Sequence, residues 1–333
     1  IERYPEIPRM LLRDGCSENP NEEKKGFALI YSHRAHDVSL SGSGTIDVGG
    51  DRFQDKLVRP FALRIIESTS VRVDGLTFRQ SAAWSCHFQL SRDIDIRNLT
   101  ICTSGIRNGD GLDIDSSSNV TISDCTIRTS DDAICLKTTT ATPCRNIRVA
   151  DCVLESGCSG VKVGSESVGD FTNVRVSRCT LRNCGVVALK VTAVDGGAVE
   201  DIEFSDLTIE DSTGPIFVAA GNRGRRYTDR ADPDRRSRIR NLAFRRMKIT
   251  TRRYERRDNG VTMYDRGQGI VVSGRPEQRI TNVTFEDLDV AFWGGMEASV
   301  GEMPEIPVLT DEYPECHKLG VLPAYGYFFQ YTE

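Results

Sequence analysis

The sequence predicts an all-β fold, a parallel β-helix, from two observations: a nine-residue phrase recurs, and no helical period of useful length separates its copies. The copies are SVRVDGLTF from Ser70, DIDIRNLTI from Asp93, NVTISDCTI from Asn119, NIRVADCVL from Asn146, NVRVSRCTL from Asn173, DIEFSDLTI from Asp201, NLAFRRMKI from Asn241 and NVTFEDLDV from Asn282. Successive copies start 23, 26, 27, 27, 28, 40 and 41 residues apart. Because so short a unit cannot bury an apolar face alone, the copies must stack as a solenoid.

Apolar and polar residues alternate within each phrase, and this alternation predicts β-strands. A second short strand precedes most phrases; the aligned segments are GLDID from Gly111, AICLK from Ala133, GVKVG from Gly160 and ALKVT from Ala188. Each coil is therefore expected to contribute at least two strands, joined by turns rich in Gly, Ser, Asn and Asp. We expect residues 1–333 to form a single domain, trimmed at both ends because neither end carries an obvious cap.

Composition and charge restrict the partners. No apolar run reaches membrane-spanning length, which argues against a membrane protein. The net charge of −5 hides a basic segment, 223–257, with 15 Lys/Arg against 4 Asp/Glu. This segment could bind a polyanion or form a solvated loop. Its few aromatic residues, Tyr227 and Tyr254, argue against a nucleic-acid site.

Three of the 11 cysteines occupy position seven of their phrases, where other coils carry Leu or Met. Cys125, Cys152 and Cys179 are accordingly predicted to be stacked core thiols, with a disulfide framework as the competing interpretation. The sequence leaves open whether Cys16, Cys144, Cys184 and Cys316 pair with one another. No C-x-x-C pair has the spacing of a zinc site, so no structural zinc is expected.

Three aspartates come together when the coils stack. Asp110 precedes one of the aligned strands, and Asp131 and Asp132 precede the next, 21 residues later. Because successive side chains of a strand point to opposite faces, two columns of residues are expected to point inward. They are Leu112, Ile134, Val161, Leu189 and Ile114, Leu136, Val163, Val191. The outward columns are Asp113, Cys135, Lys162, Lys190 and Asp115, Lys137, Gly164, Thr192. We thus expect a carboxylate cluster at the edge of an outer face, near stacked lysines.

Clustered carboxylates can serve glycoside hydrolysis. Mutual repulsion raises one pKa, so that one carboxyl stays protonated for the leaving oxygen while another, ionised, activates water. Two structural alternatives remain from spacing alone. Aspartates are common in turns, and a calcium site would also use carboxylate oxygens.

The motifs around these aspartates resemble those of glycoside hydrolase family 28, the polygalacturonase family, in its bacterial exo-acting form. The matching segments are Asn108-Gly109-Asp110-Gly111, Asp131-Asp132, Ile134-Cys135-Leu136-Lys137, Trp84-Ser85-Cys86-His87, Gly164-Ser165-Glu166 and Leu322-Pro323-Ala324-Tyr325-Gly326. Gly109 stands where the family motif has Thr. The early Leu29-Ile30-Tyr31 and Gly44-Thr45-Ile46-Asp47 extend the match over nearly the whole chain.

The resemblance implies a right-handed, single-stranded β-helix of the pectin-lyase type and an inverting hydrolase without a cofactor or metal. Asp131 would be the general acid, while Asp110 and Asp132 would hold and activate the water. The implied partner is a pectin-like or otherwise anionic polysaccharide or oligosaccharide, and the family favours a secreted or periplasmic location. Substrate-binding positions carried over from the motifs, or proposed beside them, are Asn108, His87, Lys137, Lys162, Lys190, Glu166 and Cys158.

The chain departs from the family where the family binds the galacturonate carboxylate. Cys158 replaces the His of Gly-His-Gly, and Lys190 and Thr192 replace the Arg and Lys of Arg-Ile-Lys. We hypothesise that Lys162 and Lys190 form a relocated anion site; the alternative is solvated lysines beside a neutral-sugar site. Cys158 is either a reactive thiol of lowered pKa or a spacer that widens the subsite. His87 lines the groove or supports the scaffold.

Three functions remain open. The first is an inverting glycosidase on an anionic glycan. The second has the same mechanism on a rhamnose-containing, sulfated or neutral glycan. The third is a glycan-binding β-helix without catalysis, favoured by the lost His and the altered Arg-Ile-Lys. A polysaccharide lyase fits less well, because it would need a basic residue at the α-carbon and no paired carboxyl acid.

Overall fold

The computed structural model describes residues 27–53, 59–225, 235–252, 255–258, 261–264, 269–293, 305–320, 322–324 and 326–333, with the backbone alone for 255–258 and 261–264. These residues form a right-handed parallel β-helix, as predicted. Within this part of the chain, no helix is long and apolar enough to cross a membrane. Cys16 lies outside the described residues.

Strands make up more than half of the described residues. In order they are β1 (Ala28–His33), β2 (His36–Ser41), β3 (Thr45–Asp47), β4 (Phe61–Ile66), β5 (Thr69–Asp74), β6 (Thr77–Arg79), β7 (Cys86–Gln89), β8 (Arg92–Arg97), β9 (Thr100–Cys102), β10 (Leu112–Asp115), β11 (Ser118–Ser123), β12 (Thr126–Thr129), β13 (Ile134–Thr138), β14 (Cys144–Ala150), β15 (Val153–Ser156), β16 (Ser159–Ser167), β17 (Phe171–Ser177), β18 (Thr180–Arg182), β19 (Val187–Ala193), β20 (Ala198–Ser212), β21 (Ile216–Ala220), β22 (Arg238–Thr251), β23 (Glu255–Asp258), β24 (Val261–Tyr264), β25 (Ile270–Ser273), β26 (Thr281–Ala291) and β27 (Tyr327–Gln330). Short 3-10 helices span Gly50–Phe53 and Cys316–Leu319.

The strands stack into two extended parallel sheets. Sheet A has the order β1-β4-β7-β10-β13-β16-β19-β21-β25-β27 and contains the short strands that precede the phrases. Sheet B contains the phrases, most of which split into two strands; β20, β22 and β26 instead run through both halves. Strands β23 and β24 form a separate antiparallel pair. The prediction of at least two strands per coil is confirmed.

Two backbone positions explain the polar residues of the phrase. The first and sixth residues adopt positive φ, as at Asn119 (57°) and Asp124 (56°), a region that Asn, Asp and Gly tolerate best. The first-position amides also bond from coil to coil: Asn146 donates to Asn119 at 2.9 Å, and Asn173 donates to Asn146 at 2.8 Å. The recurring Asn therefore fixes a turn and joins neighbouring coils.

Inward side chains of the two sheets form one continuous apolar core. Its aromatic column, Phe204, Phe244 and Phe285, has ring centroids 5.3 and 5.2 Å apart. Cys125, Cys152 and Cys179 are buried free thiols in this core, which confirms the prediction of stacked thiols. Cys144 and Cys184 are also buried and free.

A segment near the end of the chain, residues 305–320, crosses the outer face of sheet A and is called the strap. Leu309 and Leu319 belong to an apolar cluster with Phe217, Val271 and Phe328 of the sheet. The strap is also bonded to the loop after β21, because Asn222 donates its backbone N–H to the carbonyl of Thr310 at 2.8 Å. The outer face of sheet A is therefore covered here instead of facing solvent.

The basic segment 223–257 lies partly outside the described residues. Its described arginines include several in ion pairs with acids of neighbouring coils: Arg223–Asp195, Arg235–Asp170, Arg238 and Arg240 with Glu200, Arg245 with Glu203 and Glu286, and Arg246–Asp206. These pairs join successive coils and reduce the positive charge that the segment could offer to a polyanion.

Candidate active site

The register of sheet A places the predicted outward residues in line. Asp113 of β10 lies beside Cys135 of β13, Cys135 beside Lys162 of β16, and Lys162 beside Lys190 of β19. In the second column, Asp115 lies beside Lys137. The pairing predicted from the aligned segments is therefore confirmed, and it sets charged residues of consecutive coils about 4.8 Å apart.

The burial of these columns differs from the prediction. Side chains expected on an open face are almost fully enclosed: Lys137 is 3%, Lys162 4% and Lys190 0% exposed. Asp110 and Asp132 are likewise buried, at 3% and 2%. The alternative of solvated Lys162 and Lys190 is wrong, because both are buried and contact Tyr313 and Glu315 of the strap.

Asp131 is the more accessible of the three aspartates and is only partly buried. Its Oδ1 accepts the backbone N–H of Asp132 at 3.1 Å, and Asn108 Nδ2 lies 3.5 Å from its Oδ2. The buried Arg59 in turn donates to Asn108 Oδ1 at 3.0 Å. Asn108 thus links the partly buried Asp131 carboxyl to Arg59, a buried arginine that fixes the orientation of the amide.

Lys137 is the cation at the centre of the cluster. Its Nζ lies 3.3 Å from Asp113 Oδ1, 3.8 Å from Asp110 Oδ2 and 3.4 Å from Glu166 Oε2. It also lies 4.4 Å from the ring centroid of Trp84, within cation–π distance. One buried ammonium therefore compensates three buried carboxyls in part.

Burial, together with the remaining negative charge, favours protons on Asp110 and Asp113. Burial, with the added charges of Asp113 and Asp131, raises the pKa of Asp110 well above its ordinary value. Burial also raises the pKa of Asp113 to about 7, against the opposing charge of Lys137. These raised pKa values favour a proton on the cluster near neutral pH.

Asp132 behaves in the opposite way. Burial opposes its ionisation, but the charges of Lys162 and Lys137 prevail and lower the pKa of Asp132 to about 2. Lys162 donates to Asp132 Oδ2 at 2.7 Å, and the backbone N–H of Ser159 donates to Oδ1 at 3.1 Å. The site therefore contains one carboxylate that is firmly ionised next to others that hold protons.

Glu166 is also ionised. Burial opposes its charge, but Lys137, Lys162 and Arg223 lower the pKa of Glu166. It lies after Gly164, where a Cβ would come 2.3 Å from the carbonyl oxygen of Thr192. Only glycine fits this approach, so the Gly-Ser-Glu segment packs tightly against the next coil.

The two lysines of the hypothesised anion site already have carboxylate partners. Lys162 binds Asp132 and also donates to the Tyr313 hydroxyl at 2.7 Å. Lys190 donates to Glu315 Oε1 at 2.8 Å. The strap supplies both Tyr313 and Glu315, so neither lysine offers a substrate an uncompensated charge.

The departures from the family motif are built into the scaffold. Thr192 is fully buried and donates to the carbonyl of Val163 at 3.1 Å. Cys158 is half-buried, and burial together with the charges of Asp132 and Asp131 raises the pKa of its thiol. The alternative of a thiol with a lowered pKa is therefore wrong, and the spacer role stays a prediction.

His87 occupies a scaffold position. It is 2% exposed, packs edge-on against Trp84 and lies 3.4 Å from Asp115 Oδ2. Burial lowers the pKa of His87 to about 4, so the imidazole is neutral near pH 7. Of its two predicted roles, this geometry favours support of the sheet over contact with a ligand.

Four contributors were not assigned by sequence reasoning: Asp113, Arg59, Tyr313 and Glu315. Asp113 stands in the same predicted outward column as Lys162, and this alignment could have identified Asp113 as a site residue. Arg59 precedes β4 without a motif, and the strap residues belong to no repeat. Contacts such as Lys162–Tyr313 span 151 residues and leave no periodic trace in the sequence.

One group of described residues has ligand atoms close enough to hold a metal. One atom from each of Asp131, Asp132 and Cys158 lies within 4.8 Å of the others. The ammonium of Lys162 already binds Asp132 there, and the Cys158 thiol resists ionisation. The donor set thus suits a cation poorly, and the expected absence of a metal stays a prediction.

Known proteins with similar sequences include a family and a curated relative. The profile of Glycosyl hydrolases family 28 matches residues 14–257. A probable polygalacturonase of Vitis vinifera is 34% identical over 120 residues, which are 33% of this chain and 24% of the relative. The alignment thus spans about a quarter of that relative's length.

Solved structures share the fold. An exopolygalacturonase of Thermotoga maritima matches with a TM-score of 0.63 and 19% identity, over 80% of this chain and 67% of its own. An endo-xylogalacturonan hydrolase of Aspergillus tubingensis matches with a TM-score of 0.58 and 19% identity, over 82% and 75%. At this identity the two structures support the β-helix architecture.

Proposed function

Because the chain belongs to Glycosyl hydrolases family 28, as the match over residues 14–257 shows, we propose that it hydrolyses a pectin-like polysaccharide with inversion at the anomeric carbon. The supporting observation is the division of the cluster into a firmly ionised carboxylate, Asp132, and proton-holding carboxyls around Asp110. Glycoside hydrolysis by inversion requires one carboxyl in each state.

Asp132 is the proposed base. Lys162 and the Ser159 N–H hold its carboxylate in the ionised form, so it can orient a water and accept its proton as the water attacks the anomeric carbon. Asp110, buried beside Lys137, shares the water-holding role.

Asp131 is the proposed general acid. It is the partly exposed member of the cluster, so its carboxyl can reach the glycosidic oxygen of a bound chain. Burial, with the charges of Asp113 and Asp131, raises the pKa of Asp110, so the pair Asp110–Asp131 holds a proton, which Asp131 delivers to the leaving oxygen in this proposal. Asn108, fixed by Arg59, keeps the Asp131 carboxyl in place.

Lys137 and Glu166 complete the proposed site. Lys137 balances the charge of the carboxyl cluster, and Glu166 pairs with Lys137 at 3.4 Å. The same lysine lies over Trp84, which is partly exposed. In this arrangement Lys137 and Glu166 adjust the net charge of the buried carboxyl cluster. Asp131 and Asn108 form the accessible surface for a glycan.

Incubation with polygalacturonate, xylogalacturonan and rhamnogalacturonan tests the activity. We expect new reducing ends from at least one polymer, no ultraviolet absorbance from an unsaturated product, and no loss of rate in EDTA. Unsaturated products would identify a lyase. Glycan binding without any new reducing ends would instead favour the non-catalytic alternative.

A further inference from the structure

The strap places the Glu315 carboxylate against Lys190, the position at which the family resemblance implies a cation that binds the substrate. Lys190 stands at the Arg position of the family motif and lies in register with Lys162, which binds the proposed base Asp132. Glu315 Oε1 accepts from Lys190 Nζ at 2.8 Å. Lys190 is completely buried, and the Glu315 side chain is 14% exposed. The two charges therefore neutralise one another in an almost closed environment.

Tyr313 of the strap covers the second cation, Lys162, in the same way. Its hydroxyl accepts from Lys162 at 2.7 Å, and its ring centroid lies 4.8 Å from Lys190 Nζ and 5.8 Å from Arg223 Cζ. Tyr313 itself is partly exposed. At this position the outer surface is therefore formed by a phenol ring instead of ammonium groups.

We propose that Tyr313 and Glu315 determine specificity, making the subsite next to the cleaved bond selective for an uncharged sugar, such as a neutral or methyl-esterified unit. This inference rests on the proposed function of the same site. It names the substrate unit that the subsite takes within a pectin-like chain.

An acidic sugar meets two obstacles there. To use Lys190, its carboxylate must displace Glu315, which then loses its partner in a largely buried position. If Glu315 stays in place, two carboxylates share one ammonium and repel each other. A neutral unit meets neither obstacle and can pack on Tyr313.

Binding measurements on a protein that cannot turn over test the inference. Asp131→Asn is titrated calorimetrically with trigalacturonate and with its methyl ester, alone and combined with Glu315→Gln. We expect the ester to bind at least about tenfold more tightly than the acid, and Glu315→Gln to reduce this ratio about tenfold by leaving Lys190 uncompensated. Combination with Asp311→Asn, which removes an exposed charge from the same strap, should leave the ratio unchanged.

Three results would overturn the inference. The first is tighter binding of the free acid than of the ester by Asp131→Asn alone, and the second is an ester-to-acid affinity ratio that Glu315→Gln does not change. The third is failure of both probes to bind. Its failure differs from failure of the proposed function. Hydrolysis by the unaltered protein without discrimination between acid and ester rejects the specificity alone. Discrimination in binding without any hydrolysis rejects the activity alone.

Discussion

Replacement of Asp131 by Asn is expected to lower kcat on a pectin-like substrate by about 10²–10⁴-fold, the usual contribution of a general acid. Asn has nearly the same shape and can still contact Asn108 and the Asp132 N–H, so KM should change little. The loss should shrink with an aryl glycoside whose leaving group needs no protonation. Initial rates on both substrates measure this contrast.

Asp124→Asn is the matched control. Asp124 is exposed and has a φ of 56°, which Asn tolerates. It belongs to the nine-residue phrase from Asn119 and therefore lies away from the strands of sheet A that hold the site. It should retain full activity. Asp110→Asn should also be slow, but equally so with both leaving groups. A leaving-group effect seen in Asp110→Asn and not in Asp131→Asn would reverse the assignment of the acid.

Replacement of Lys162 by Met is expected to destabilise the protein by about 3–5 kcal/mol at pH 7, because it leaves Asp132 as a buried carboxylate without its closest partner. The pKa of Asp132 is lowered to about 2, below an ordinary value of about 3.9, so the stability it contributes is present above pH 4 and lost towards pH 2. In the variant this pKa rises, and protonation removes the penalty as pH falls. Urea unfolding at pH 7 and pH 4 should show the difference from the unaltered protein shrinking at pH 4.

Lys248→Met is the control for this experiment. Lys248 is exposed on β22, so its replacement should change stability by no more than about 0.5 kcal/mol at either pH. If Lys162→Met lowers the free energy of unfolding equally at pH 7 and pH 4, the loss comes from packing and not from the charge of Asp132. The acid limb of the activity profile should move to higher pH in Lys162→Met for the same reason.

The fold can be predicted from the sequence because a solenoid repeats the same local structure in each coil. Asn119, Asn146 and Asn173 recur because each must adopt positive φ and bond to the neighbouring coil. The alternation within the phrases then fixes which residues face the core. Register follows from the same alignment, because stacking the aligned segments places Asp113, Cys135, Lys162 and Lys190 in one column.

The environment of the site could not be read in the same way. Whether an outward column faces water depends on what crosses it, and the strap contacts Lys190 from 125 residues away. Burial beneath the strap changes the chemistry of Lys162 and Lys190 from exposed cations to members of compensated pairs. Periodicity describes contacts between coils, whereas these contacts join the repeat to a segment outside it.

The most direct test of the proposed mechanism is the configuration of the first product. Proton NMR during hydrolysis of a defined oligosaccharide, with the acidic and methyl-esterified forms in parallel, shows which anomer appears before mutarotation. With Asp132 activating water and Asp131 protonating the leaving oxygen, the inverted anomer is expected from the start. Initial formation of the retained anomer would contradict it, because a covalent intermediate would then replace direct attack by water.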